Sequence, residues 1–264
     1  MNVQTATSTG TKLLERIPFE TDEGIAARAR LGLVVLATDQ TLEHEFRVVL
    51  ARLPGVALYH ARIHNSPTIT PETLAAMEGD IAPTALLLPP GEFDVVAFGC
   101  TSASMILGEA RVFELIAEAH PEAKGTTPIT AAFAAFRAFG ARRIGVLTPY
   151  PAEVNATVQR YIEAAGFEIP VFGSFNEGDD QTVAAISPAS LRAAARRVAE
   201  AAPVDALFVA CTSLRLLDAA EAIEAELDLP VTSSNHAMIW HCLRLAGVDD
   251  AVPGFGRLYH LPLD

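Results

Sequence analysis

Phe93-Asp94-Val95-Val96-Ala97-Phe98-Gly99-Cys100-Thr101-Ser102 decides how this chain is read, because it recurs as Val204-Asp205-Ala206-Leu207-Phe208-Val209-Ala210-Cys211-Thr212-Ser213. Each copy is a short apolar run, opened by an Asp and closed by Cys-Thr-Ser. Such a run, followed by small polar residues and a helical pattern, reads as a buried parallel strand that delivers a thiol at its carboxyl end. Open α/β sheets hold their ligands there. A lone cysteine in such a place is most often a small buried hydrophobe; two at matched strand ends point to chemistry.

Outward from these runs, strands and helices alternate. Leu31-Gly32-Leu33-Val34-Val35-Leu36 reads as a strand, Ala37-Thr38-Asp39-Gln40-Thr41 as the turn into a helix over 42–53, and 56–63 as a second strand after Pro54-Gly55. Thr70 suits the cap of a helix starting near Pro71. After Cys100 the small polar run Thr101-Ser102-Ala103-Ser104 has the character of a helix N-terminus, and that helix is expected to reach about Ala119. Residues 124–128 read as a linker-like break before a helix over 129–139.

The pattern then restarts with a strand over 143–147, a turn carrying Tyr150, a helix over 153–165 and a strand over 167–172. A polar loop over 176–181 precedes a helix from about Ser187 to Ala202, and the second Cys-Thr-Ser is expected to lead into a helix over 214–227. Last come a short strand over 229–232 and a helix over 236–245, which Ser233-Ser234-Asn235 would cap.

The two cysteines lie 111 residues apart (211 − 100), and 61 residues separate both Asp39 from Cys100 and Tyr150 from Cys211. Matched order and spacing indicate an internal duplication. The expected fold is therefore α/β, with two pseudo-symmetric halves, each a short, mainly parallel sheet flanked by helices, and the active site in the cleft between them. Residues 1–28 are read as a flexible arm, 29–124 plus 230–264 as the first half, and 125–229 as the second.

Bulk properties narrow the function classes. With 19 basic against 32 acidic side chains the formal net charge is −13, the wrong sign for holding a phosphate backbone. No apolar run is long enough to span a bilayer, and the first residues lack the pattern of a secretory signal. The expectation is a soluble, cytoplasmic protein with no nucleic-acid or membrane partner, assembling as a homo-oligomer. Three cysteines and seven histidines show neither a disulfide framework nor metal-ligand spacing, so neither a metal nor a cofactor is expected.

Two thiols facing each other across a small substrate suit a cofactor-free inversion, in which one group removes a proton and the other supplies one on the opposite face. Thr101, Ser102, Thr212 and Ser213 offer N–H and hydroxyl donors to a carboxylate. Cys242, in Ile239-Trp240-His241-Cys242-Leu243, reads as core, His236 as structural and Asn235 as a cap.

The motifs Gly99-Cys100-Thr101-Ser102-Ala103-Ser104, Ala210-Cys211-Thr212-Ser213-Leu214-Arg215, Leu147-Thr148-Pro149-Tyr150 and Pro230-Val231-Thr232-Ser233-Ser234-Asn235 resemble the aspartate/glutamate racemase superfamily. Within it they are most similar to the maleate cis-trans isomerase and arylmalonate decarboxylase branch. Through Leu36-Ala37-Thr38-Asp39-Gln40-Thr41 the chain resembles the ectoine-utilization A proteins of that branch.

The resemblance implies Cys100 and Cys211 as catalytic residues, with Tyr150 contacting a substrate carboxylate. It places Asp39 and Asp180 where maleate isomerases have asparagines. An ionised Asp beside a substrate carboxylate repels it, so Asp39 fits an ammonium-bearing substrate, such as an ectoine-derived diamino acid, and the leading expectation is an isomerase or racemase of a small carboxylate or amino acid. A maleate-type cis-trans isomerase with a covalent Cys100 adduct, a decarboxylase of a malonate-like acid, and a small-molecule binding module remain open. Asp39 also suits a helix cap, and Asp180 a solvated loop.

Overall fold

A computed structural model describes residues 13–263. Of the arm expected over 1–28, residues 1–12 lie outside the described residues; Leu13, Leu14, Ile17 and Phe19 are exposed, and a single 3₁₀ turn, Gly24–Ala26, leads into the first strand.

The first run of elements is β1 (Ala29–Leu36), α1 (Leu42–Leu50), β2 (Val56–Ile63), α2 (Pro71–Ala75), α3 (Glu78–Ala85), β3 (Val95–Gly99), α4 (Thr101–Leu107), α5 (Glu109–Ala119), β4 (Lys124–Thr126) and α6 (Pro128–Ala138). The second is β5 (Arg143–Thr148), α7 (Ala152–Ala164), β6 (Glu168–Ser174), α8 (Asp180–Ala184), α9 (Pro188–Ala201), β7 (Ala206–Val209), α10 (Ala220–Leu227), β8 (Val231–Ser233) and α11 (Ser234–Leu245). The strands form two parallel sheets ordered β2-β1-β3-β4 and β6-β5-β7-β8. Each sheet uses its own strands in the order second, first, third, fourth, as a duplication requires.

The Asp that opens each cysteine strand has the same task in both copies. Asp94 accepts from the Arg30 N–H at 2.7 Å. Asp205 accepts from the N–H groups of Arg142 and Arg143 at 2.9 and 2.7 Å. Each carboxylate satisfies donors at the start of the neighbouring strand and so fixes the register that carries the cysteine to the sheet's end.

Several expectations need correction. Residues 124–128 are no linker: Lys124–Thr126 pairs in parallel with β3, too short a strand to show periodicity. The helix after Cys100 is broken at Gly108, whose φ of 85° no helix accommodates. The loop expected over 176–181 ends at Asp179, the cap of α8, which accepts from the Thr182 N–H.

Residues 214–216 are not helical. The chain leaves Cys211 at φ 157° and forms a 3₁₀ turn at Leu217–Ala219 before α10. The segment 230–264 is shared between the sheets: β8 pairs with β7, while α11 packs against the first sheet.

That sharing is reciprocal. α6, which follows the last strand of the first sheet, sends Ile129, Phe133 and Phe136 into the second core, Phe136 lying edge-on to Phe208 of β7 at 5.4 Å. α11, which follows the last strand of the second sheet, sends Met238 and Trp240 into the first core beside Leu31, Leu33 and Val95. Both helices are apolar on more than one side because each is buried between layers. Cys242 is fully buried on α11. No helix among the described residues is long and apolar enough to cross a membrane.

Candidate active site

The two thiols reach the sheet ends by different local structures. Cys100 is the N-cap of α4 in extended conformation, and its carbonyl accepts from the Ser104 N–H at 3.2 Å and the Ser104 hydroxyl at 2.6 Å. The Ala103 N–H faces its sulfur, and Ser102 Oγ lies 3.9 Å from it. Cys211 has no helix after it; the Ser213 N–H donates to its sulfur at 3.4 Å. The two copies meet at Ser234, the first residue of α11. Its Oγ accepts from Thr101 Oγ1 at 2.7 Å and from the Cys211 N–H at 3.0 Å.

What a helix does for Cys100, the opposite half does for Cys211. Thr41 Oγ1 donates to the Ser213 carbonyl at 2.9 Å. Asn235 Nδ2 donates at 2.8 Å both to the Thr212 carbonyl and to Glu45 Oε2, and Glu45 Oε1 accepts from the Leu217 N–H at 3.0 Å. Glu45 is buried on α1, and burial pushes its carboxyl up to about 7 against those two donors.

Asp39 lies buried directly above α1, with Oδ1 accepting from the N–H groups of Thr41 and Leu42 at 2.8 Å each. This is the cap that an Asp before a helix provides. Among the described residues its Oδ2 has no hydrogen-bond partner. Burial pushes the carboxyl up to about 6, with the two N–H groups acting against the rise.

Asp180, at the start of α8, is held from both sides. Ser213 Oγ donates to Oδ1 at 2.7 Å, and Thr38 Oγ1 donates to Oδ2. Thr38 in turn accepts from Asn65 Nδ2 at 2.9 Å. Tyr150 is buried beside both sulfurs, its phenol adjacent to Cys211 and Ser102. Its turn is fixed by Asn155 Nδ2 and Ser174 Oγ, each donating to the Tyr150 carbonyl at 2.7 Å.

These groups surround a cavity of about 30 Å³. Cys100, Thr101, Ser102, Tyr150, Asp180, Cys211, Thr212 and Ser213 all line it. Asp39 does not, and sits behind the wall as the α1 cap. Sequence reasoning missed the apolar side, made by Ile69, Leu74 and Met77, and the segment over 65–68. That segment meets the second half directly: Thr68 bridges to Asp179, Ile69 N–H donates to the Gly178 carbonyl, and Asp180 N–H donates to the Pro67 carbonyl. No local pattern marks such a pairing, which is set by how the halves close.

Electrostatics hold both thiols protonated. Burial, with smaller contributions from the Asp180 and Asp39 carboxylates, pushes Cys100 up to about 11. Burial followed by Asp180 pushes Cys211 up to about 12. Burial also raises the Tyr150 phenol well above its ordinary value. His236 stands apart: its Nε2 meets the Phe255 carbonyl at 2.5 Å and its Nδ1 meets Thr232 Oγ1 at 3.0 Å, so it is a buried neutral core histidine. Among the described residues no three His, Cys, Asp or Glu side chains gather to hold a metal ion.

Comparison with known proteins fits this frame. The family model described as arylmalonate decarboxylase matches residues 53–259. A maleate isomerase of Nocardia farcinica is 32% identical over 238 residues, covering 87% of this chain and 94% of the relative. An arylmalonate decarboxylase of Bordetella bronchiseptica is 32% identical over 197 residues, covering 73% and 82%.

Among solved structures, the Nocardia farcinica maleate cis-trans isomerase bound to TRIS superposes with a TM-score of 0.81 at 31% identity, covering 88% of this chain and 98% of that one. A cysteine-to-serine mutant of that enzyme, with a covalently bound succinylcysteine intermediate, gives 0.78 at 30% identity and the same coverage. Shared fold, reach of the match and level of identity lead to one conclusion: the chain belongs to the arylmalonate decarboxylase family.

Proposed function

We propose that the chain is a cofactor-independent isomerase that moves a proton across a small carboxylate or amino acid between Cys100 and Cys211. The observation carrying this reading is the pair of buried thiols lining one cavity, with the Tyr150 phenol beside both. One cysteine, entering the cycle as thiolate, takes the proton from the carbon next to the substrate carboxylate. The electron pair released from that C–H bond spreads onto the carboxylate as an enediolate, which the Ser102 and Tyr150 hydroxyls stabilise. The other thiol returns a proton to the opposite face. A positioned acid or base of this kind contributes about 10²–10⁴ in rate.

The substrate is small, and an ectoine-derived diamino acid belongs to the class that the Asp180 carboxylate favours. Incubation in deuterated water with amino acids, diamino acids and short diacids, followed by proton NMR, identifies the substrate by the carbon that takes up label. Cys100→Ser and Cys211→Ser should each abolish that uptake. Full turnover by either variant on every wild-type substrate would end the two-thiol reading.

A second reading is covalent cis-trans isomerisation, in which the Cys100 sulfur adds to a double bond and the central bond rotates before elimination. It is favoured by the succinylcysteine intermediate in the related mutant and by the Ala103 N–H facing the Cys100 sulfur. Intact mass after soaking with maleate should then show an adduct on Cys100 that Cys211→Ser accumulates.

A further inference from the structure

We propose that Asp180 is an ammonium subsite, so that the cavity takes a small carboxylate bearing an ammonium group and rejects diacids; this rests on the two-thiol reading above. Among the described residues Asp180 is the one charged side chain on the cavity wall, and no Lys, Arg or His lines it. The direction of its hydrogen bonds follows from the donors. Asn65 donates to the Thr38 hydroxyl, whose single hydrogen is thus left for Asp180 Oδ2, and Ser213 gives its hydrogen to Oδ1. Both oxygens accept, and each keeps a lone pair for a further donor.

Hydroxyls orient this charge without cancelling it. Arg62, the guanidinium behind the 36–39 turn, donates to the carbonyls of Leu36, Ala37 and Asp39 and pairs with Glu43, and makes no hydrogen bond to Asp180. An uncancelled carboxylate in an enclosed site calls for a cation from the ligand, and an ammonium brings three donors. Across the cavity Ile69, Leu74 and Met77 offer an apolar wall to a short carbon chain.

The same arrangement couples binding to chemistry. Asp180 is among the charges that hold both sulfurs protonated. An ammonium seated against it offsets that contribution, while burial, the larger cause, remains.

The test compares 2-aminobutanoate and 2,4-diaminobutanoate with succinate and maleate on the full chain, by thermal shift and by protection of Cys100 and Cys211 from iodoacetamide. Wild-type protein should bind the aminated acids about ten- to hundredfold more tightly than the diacids, the range for a hydrogen bond between charged groups. Asp180→Asn should bring the two classes within about threefold. That variant keeps the shape of the side chain, and the Ser213 hydroxyl can turn to accept from its amide; the wild-type panel needs no variant at all.

Diacids binding wild type as tightly as the aminated acids would overturn the subsite, as would an unchanged preference in Asp180→Asn or no binding of either aminated acid at millimolar concentration. Cysteine-dependent turnover of maleate would do the same while leaving the two-thiol mechanism standing. Tight amino-acid binding with α-proton exchange that survives both cysteine substitutions would sink the mechanism and keep the subsite.

Discussion

Replacing Glu45 by Gln isolates what it costs to keep a carboxylate beneath the Cys211 loop. Burial pushes this carboxyl from 4.5 to about 7, with Asp218 and Asp39 adding to the rise. The folded protein therefore holds the proton more tightly than the unfolded chain does. The stability this contributes is complete below about pH 4.5 and is lost as pH rises through about 7. An interval of about 2.5 pH units, at about 1.4 kcal/mol for each, comes to about 3 kcal/mol.

Gln has no proton to lose and escapes that penalty, but its amide meets Asn235 donor to donor. Turning the Asn235 amide over presents the partnerless Asn235 Oδ1 to the new side chain and gives up the bond to the Thr212 carbonyl, at about 1–3 kcal/mol at any pH. Glu45→Gln should thus be less stable than wild type at pH 5 and equal or more stable at pH 8. The difference between the two proteins should swing by about 3 kcal/mol, or about 6–12 °C in Tm for a chain of this size. Thermal melts by circular dichroism at the two pH values measure it directly. A Tm difference that stays constant between pH 5 and pH 8 would refute the assignment of a buried, proton-holding Glu45.

Alkylation of Cys100 and Cys211 in ligand-free protein should climb with pH through the alkaline range, since burial and Asp180 push them up to about 11 and about 12; peptide mass mapping after iodoacetamide would contradict this by showing a plateau near neutrality. Ser234→Ala removes the acceptor shared by Thr101 Oγ1 and the Cys211 N–H. It should cost about 2 kcal/mol or more in urea unfolding, with turnover falling about tenfold as the Cys211 loop loosens. Gly99→Ala places a Cβ 2.5 Å from Leu42 Cδ2 and 3.3 Å from the Val34 carbonyl, so about 1–3 kcal/mol of overpacking is expected, read as a drop in denaturation midpoint. Unchanged stability there would mean that α1 shifts freely on β3.

Strands were legible where composition and punctuation agreed: 56–63, bounded by Pro54-Gly55 and a polar loop, is β2 residue for residue. The thiol pair and its pocket partners followed from repetition, because a duplicated motif marks equivalent places in space. Residues 214–216 misled, since their apolar pattern is helical while the backbone is pinned elsewhere by Thr41 and Asn235, residues remote in sequence. Glu45 was readable and passed over: Leu42, Phe46 and Val49 share the inner face of α1 with it, so a carboxylate occupied a core position. Asp39 was drawn to the substrate by resemblance, whereas its neighbours Thr41 and Leu42 claim one oxygen for the helix cap.

The exchange of α6 and α11 between the sheets bears on how such a chain could have arisen. A chain of half this length would leave one face of its own sheet partly uncovered, because the helix following its last strand sends its large side chains into another core. Two identical copies trading that helix would cover each other, as in domain-swapped dimers. Such a dimer carries two equivalent cysteines by symmetry alone. Fusion into one chain lifts that constraint, leaving one copy free to keep its helix after the thiol and the other to replace it with a loop held from across the interface.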